Sequence, residues 1–458
     1  MTTPSSGPGT AQKRTRTRYV TLAMLVIASA VALADRANLS IAGSAMSAEL
    51  GITPVQLGFL FSAFSWAYVL GQLPAGWMLD RFGAIRVYGI ALFGWSLLTL
   101  AQGFIGLGPA ALAVTLLFAL RFLMGLVEAP LSPGNSSITA SWFPVAERGT
   151  ATSIYNSAQY VAVLLFVPFM GLLVGHVNWE SVFWVMGVIG MALALVWARI
   201  MYMPGQHPRI NTLELAHLRE GGANLDGGTV QGERQKVRLA DLKLFLGSRQ
   251  MLGIYIGQYC LASMQYFFLT WFPIYLVKGR GMNIVEVGFV ASLPAIAGFA
   301  GGILGGVISD SLTRRGFSLS VARKVPFVTG MLLSSSVVLC NFVGSTYAAV
   351  AIVTLALFGK GLSAVNFALI ADTSPRHLVG FAGGLFNLFG SISGIVTPIV
   401  IGYAVQATGS FTEALWFVGA HGAVAALAYL CVVGKIGPVH PQGAHGGAAG
   451  VLSSAPRA

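Results

Sequence analysis

Twelve long apolar runs follow one another along this chain, and they leave few architectures open. Helices are expected over 18–43, 55–79, 85–107, 110–132, 146–174, 180–203, 250–277, 285–310, 322–343, 347–371, 378–406 and 412–434. A helix needs about 20 apolar residues to cross the hydrocarbon core of a bilayer. Backbone polar groups there must be paired internally, so only helices or a closed barrel can span it. These runs are continuous and do not alternate in ten-residue segments, which excludes an outer-membrane barrel. Charge poverty agrees: 9% of residues are charged and 55% are hydrophobic, against about 25% charged in a soluble domain. Such a surface needs lipid around it.

The net charge of +12 does not indicate a nucleic-acid partner, because no basic stripe with interleaved aromatics occurs. Instead Lys and Arg punctuate the ends of the runs on one side. Arg81, Arg86, Arg148, Arg199, Arg314, Arg315, Arg323, Lys324, Arg376 and the basic residues of the central loop fall together, while Lys278 and Arg280 fall opposite. The positive-inside rule then places both termini and the central loop in the cytoplasm. Lys13, Arg14, Arg16 and Arg18 before a run ending Ala32-Leu33-Ala34 resemble a secretory signal. The helical pattern continues through Asp35 and Arg36, so retention is expected. Cys260, Cys340 and Cys431 lie in separate runs and read as small core residues, without disulfide or metal.

The expected organisation is a tail (1–17), a six-helix bundle (18–203), a polar central loop without a core pattern (204–249), a second six-helix bundle (250–434) and a tail (435–458). An internal repeat supports the two halves. GWMLDRFGAIR carries Gly76, Asp80, Arg81, Gly83 and Arg86, and GGVISDSLTRRG carries Gly306, Asp310, Arg314, Arg315 and Gly316. Matching punctuation implies two bundles around a central pathway.

A charge near the bilayer centre costs about 2.5–3.5 kcal/mol on insertion scales, so Asp35, Arg36, Arg121, Glu128 and Lys360 need a reason. Arg121 and Glu128 lie seven residues apart, on one helical face. Asp372 reads as a loop residue beyond the tenth helix. Three deep cations against two deep acids suit an anionic ligand, since the arginine fork matches a carboxylate. The two acids suit proton relay. Buried ion pairs that only hold helices together are the alternative. Tyr68, Gln72, Asn156, Gln159, Gln258, Gln265, Asn366 and Asn387 could bind hydroxyls or glue helices together. No nucleophile–base pair, metal cluster or phosphate loop is evident, so neither an enzyme nor a bound cofactor is expected. A central loop this short leaves no room for a sensor domain.

In its GWMLDRFGAIR loop the chain resembles the major facilitator superfamily, which implies gating roles for Asp80, Arg81, Arg86 and, through the repeat, Asp310. In DRANLSIAGSAM, FSAFSWAYVLGQLPAGWMLDRFG, LRFLMGLVEAP, NSAQY, GSRQMLGIYIGQYC, FFLTWFPIYL, GIVTPIVIGY and QHPRINTLEL it is similar to anion:cation symporters, nearest the bacterial glucarate/galactarate proton symporters. The resemblance implies proton-binding acids at Asp35 and Glu128. It implies substrate contacts at Arg36, Tyr68, Arg121, Gln159 and Asn387. Gln258 and Asn366 join them as expected substrate contacts only because they are polar side chains within the spans. It also implies that Lys360, in FGKG, meets a second carboxylate, because galactonate carriers have Asn there. Phe367 replaces the Trp of sugar-acid relatives, and Ser137 replaces an Arg. A galactonate-like monoacid or an aromatic or aliphatic dicarboxylate therefore stays open beside the sugar diacid. The expected protein is a proton-coupled importer in a bacterial inner membrane, acting as a monomer.

Overall fold

The computed structural model describes residues 14–225, 239–375 and 378–439. Most of both tails, part of the central loop and Arg376 lie outside the described residues. Those described are helical, with no strand among them. Eleven helices are long and apolar enough to cross a membrane, and a bent pair makes up to twelve. They are α1 (Thr17–Leu50), α2 (Pro54–Phe82), α3 (Ala84–Leu107), α4 (Ala111–Trp142), α5 (Val145–His176) and α6 (Glu180–Ile200). Two shorter helices follow, α7 (Thr212–Glu220) and α8 (Leu239–Gly247). Then come α9 (Arg249–Thr270, bent by 50° into Phe272–Gly279), α10 (Ile284–Arg314), α11 (Leu319–Phe342), α12 (Thr346–Thr373), α13 (Val379–Thr408) and α14 (Thr412–Val432). The chain is a multi-pass membrane protein. It divides into two compact units: Met1–Gly232 with Asn283–Phe289, and Glu233–Met282 with Val290–Ala458.

Several helices outrun or break the apolar pattern for local reasons. α1 continues past the expected end at 43 to Leu50, where Gly51 (φ 65°) takes the left-handed conformation that closes a helix. α4 passes the expected end at 132. Pro130 lacks the N–H that would continue the ladder, so the helix breaks directly after Glu128 and resumes at Leu131, with Gly134 N–H donating to Pro130 O (2.8 Å). α5 carries a π-segment at Ala162–Phe166, directly after the turn that holds Gln159. α12 tightens into a 3₁₀ turn at Ser363–Val365 between Lys360 and Asn366. Such breaks are frequent at functional sites. The repeat has a structural basis too: Gly83 (φ 85°) and Gly316 (φ 83°) both make turns in a backbone region that side chains rarely adopt. Cys260 and Cys340 are buried as expected, but Cys431 is exposed near the end of α14.

In the first unit the core is aromatic. Tyr88 stacks on Trp197 (4.3 Å between centroids), whose indole donates to Ile85 O (3.0 Å). The central stretch expected to lack a core pattern contributes here. α7 is capped by Asn211, whose Oδ1 accepts from Glu214 N (2.9 Å), and Leu218 is fully buried. The Glu214 carboxylate, also fully buried, accepts from Thr15 Oγ1 (2.6 Å), Thr17 N (3.0 Å) and Arg18 N (3.1 Å). It thereby satisfies N–H groups that the first turn of α1 leaves open. His217 and Arg18 both reach Glu147 (3.3 and 3.5 Å). Sequence periodicity missed this docking because it rests on one apolar residue and three polar ones. Glu214→Ala is expected to cost about 2 kcal/mol, since bonds to a charged acceptor are the stronger kind. The check is a drop of several degrees in melting temperature in detergent, with faster proteolysis at α7; unchanged values would show that α7 is not anchored this way.

Candidate functional site

Two polar clusters lie inside the units, each built by close helix packing. In the first unit α2 and α4 approach where Gly125 sits against the Phe64 carbonyl; a Cβ there would overlap it. This brings Glu128 of α4 to the Phe64–Tyr68 face of α2. Arg36 of α1 donates through Nε (2.8 Å) and Nη2 (2.5 Å) to Glu128 Oε1. Its guanidinium also lies over the rings of Phe64 (4.6 Å) and Tyr68 (5.1 Å). Aromatic faces hold a cation without neutralising it.

Asp35, next in sequence, turns inward and is 1% exposed. Its Oδ1 accepts from Asn38 Nδ2 (3.3 Å), a neighbour the sequence reading passed over, and its Oδ2 makes no hydrogen bond among the described residues. Glu128 Oε2 is likewise buried without a hydrogen bond. Arg121 is 3% exposed, and its Nε and Nη1 are buried donors with no hydrogen-bond partner among the described residues. Within α4 it stands two turns from Glu128, roughly 10 Å along the axis at 1.5 Å per residue. No carboxylate oxygen lies within 4.0 Å of its nitrogens among the described residues, and Glu128 pairs with Arg36 instead. Buried polar atoms are nearly always satisfied. A guanidinium with two open donors beside two half-used carboxylates is therefore equipped to take a planar anion.

Gln159 is half-buried and its Nε2 donates to Asn156 O (3.3 Å). It is not brought into hydrogen bonding with the Arg36–Glu128 pair among the described residues.

The second unit holds the remaining cation. Lys360 of α12 lies between Gly359 and Gly361, whose missing side chains let α12 lie against Gly330 of α11 and Gly298 of α10. Its Nζ donates to Gln265 Oε1 of α9. Among the described residues no carboxylate lies within 4.0 Å of it. One level along, Asn366 Nδ2 donates to Gln258 Oε1 (3.2 Å), and the Tyr429 hydroxyl of α14 donates to Asn366 Oδ1. Tyr429 was missed because a lone Tyr in an apolar run reads as core. Asn387 is exposed on α13 and joins neither pair among the described residues; Phe367 is exposed and packs edge-on to Phe386 (5.3 Å). The surplus of deep cations thus resolves into a balanced 2:2 cluster in the first unit and an uncompensated ammonium in the second.

The loop residues behave differently. Arg81 lies over the rings of Trp77 and Phe82 (5.3 and 5.7 Å), and Asp80 and Arg86 are exposed at the α2–α3 turn. Asp310 is exposed. Its neighbour Ser309 accepts from Arg323 Nη1 (2.9 Å), whose Nε reaches Asp372 Oδ2 (2.8 Å). Asp372, expected in a loop, is the penultimate residue of the helical segment Asn366–Thr373. The ion pair there uses an acid from α12, which no local motif announces.

The Major Facilitator Superfamily model matches residues 25–322. The chain is 51% identical to "Probable galactarate/D-glucarate transporter GudP" of Escherichia coli (strain K12), covering 95% of this chain and 98% of that one. It is 51% identical to the protein of the same name from Bacillus subtilis (strain 168), over 93% and 94% of the two chains. It is 38% identical to "D-galactonate transporter" of Escherichia coli O6:H1, over 94% and 98%. Among solved structures it resembles a bacterial homolog of the human lysosomal transporter Spinster (TM-score 0.73, 16% identity, 92% and 98% covered). A D-xylose-proton symporter also resembles it (0.66, 17%, 91% and 99%). These last two likenesses show the fold. The chain is a membrane transporter, not an enzyme, and it belongs to the Major Facilitator Superfamily.

Proposed function

We propose that this protein imports a sugar diacid such as glucarate or galactarate together with protons, by alternating access, across a bacterial inner membrane. Both termini would lie in the cytoplasm and the monomer would be the working unit. The observation that carries the reading is the state of Arg121, a buried guanidinium with two donors unused. Arg121 and Arg36 would hold one carboxylate, Tyr68, Gln159, Gln258, Asn366 and Asn387 the hydroxyls, and Lys360 the second carboxylate. The names of the relatives supply the substrate class; the site supplies the chemistry.

Proton coupling follows from the Arg36–Glu128 pair. Arg36 donates through Nε and Nη2 to one oxygen of Glu128. A proton on Glu128 would release Arg36 to the substrate, and Asp35, with one oxygen unused, is the second acceptor. A dianion also needs charge compensation: an inside-negative potential opposes it by about 2.3 kcal/mol per charge per 100 mV. Three or more protons would make the cycle electrically favourable. Asp80, Arg81, Arg86 and Asp310 would act in gating, away from the substrate.

The test is uptake of labelled glucarate into vesicles under an imposed pH gradient. An inside-alkaline gradient is expected to drive accumulation; uptake indifferent to it would remove proton coupling. Lys360→Asn is expected to weaken glucarate by about 30-fold while sparing galactonate, as for a desolvated charge pair. Equal losses for the two ligands would remove the second-carboxylate role.

A further inference from the structure

α9 and α12 meet in two rungs. Gln258 and Gln265 stand seven residues apart, on one face of α9. Gln258 takes Asn366, and Gln265 takes Lys360. The 3₁₀ turn at Ser363–Val365 lies between the two α12 residues, and Ser363 Oγ donates to Phe327 O (3.0 Å) of α11 and to Gly359 O (3.2 Å). The rungs differ in kind. The Gln258 rung is neutral throughout and is backed by Tyr429, which stacks on Phe327 (3.6 Å). The Gln265 rung holds an ammonium, which has three donors, against a neutral amide oxygen.

That choice of partner has a consequence for selectivity. An amide oxygen fixes the direction of Lys360 Nζ and leaves its charge in place. A carboxylate at the same position would fix it equally well and cancel the charge. We infer that Gln265 is a specificity-determining residue: it orients Lys360 while keeping its full charge available, and so sets the preference for dianionic over monoanionic sugar acids. The inference rests on the reading of Lys360 as the partner of a second carboxylate.

The experiment compares binding of glucarate and galactonate to purified full-length protein at neutral pH, for wild type and for Gln265→Glu, Gln265→Met and Lys360→Asn. Gln265→Glu is expected to weaken glucarate by about 30-fold or more, the scale for loss of a desolvated charge pair. Galactonate should hold within about threefold, so its binding also reports that the variant is folded. Gln265→Met removes the oxygen without adding charge; it should weaken glucarate by less than Gln265→Glu does, since Lys360 keeps its charge and loses only its orientation, and should spare galactonate. A wild-type ligand ratio in Gln265→Glu, with the ratio collapsed in Lys360→Asn, overturns the role of Gln265 alone. An unchanged ratio in Lys360→Asn overturns the underlying reading instead. Equal loss of both ligands in Gln265→Glu also overturns the inference, since a structural role would then suffice.

Discussion

Arg121→Met abolishes measurable substrate binding, by about 100-fold or more in affinity, and leaves the unliganded protein as stable as wild type or more so. Both halves of this expectation come from the same observation. The guanidinium is buried, and Nε and Nη1 have no hydrogen-bond partner among the described residues. A buried charge with unmade bonds destabilises the empty protein, and Met fills the same space without it. A bidentate carboxylate would satisfy both donors at once, which is the strongest arrangement available to arginine. Truncating one partner of a desolvated charge pair costs about 2–5 kcal/mol, and each 1.4 kcal/mol is tenfold in affinity. Arg36→Met should behave oppositely in stability. It leaves Glu128 buried and unpaired, at about 3–5 kcal/mol. Calorimetric titration with glucarate and melting curves without ligand read the two effects separately. An Arg121→Met protein that binds glucarate normally would show that the substrate does not use this guanidinium.

Glu128→Gln is expected to separate transport from accumulation. The amide keeps the shape of the side chain and one oxygen for Arg36, but cannot cycle a proton. A pH gradient of one unit stores about 1.4 kcal/mol per coupled proton, equivalent to tenfold accumulation. The variant should lose about that factor per unit while still exchanging labelled for unlabelled glucarate across vesicles at equal pH. Gradient-driven accumulation at the wild-type level would remove Glu128 from the proton path and leave Asp35 as the acid to test.

Much of this molecule could be read before any coordinates. The spans follow from apolar length, and the deep charges stand out because hydrocarbon makes them costly. Boundaries were less legible. The break after Glu128 depends on Pro130, but the resumption of α4 to Trp142 depends on what its polar face packs against. The docking of α7 was hidden, because Glu214 looks like an ordinary surface acid until Thr15, Thr17 and Arg18 are seen to donate to it. Asp372 looked like a loop residue until Arg323 was placed beside it.

Local rules could say that Asp35, Arg36, Arg121, Glu128 and Lys360 lie within membrane helices and that Arg121 and Glu128 share a face, because helical period and transfer cost act along the chain. They could not say who pairs with whom. Glu128 pairs with a residue 92 positions away and not with the arginine on its own helix. That choice was made by helix packing, which sets Arg36 of α1 against Glu128 of α4 and leaves Arg121 Nε and Nη1 without a hydrogen-bond partner among the described residues. Coulomb and hydrogen-bond energies fall off over a few ångströms. So the difference between an ion pair that holds helices and a cation that waits for an anion exists only once the helices are side by side.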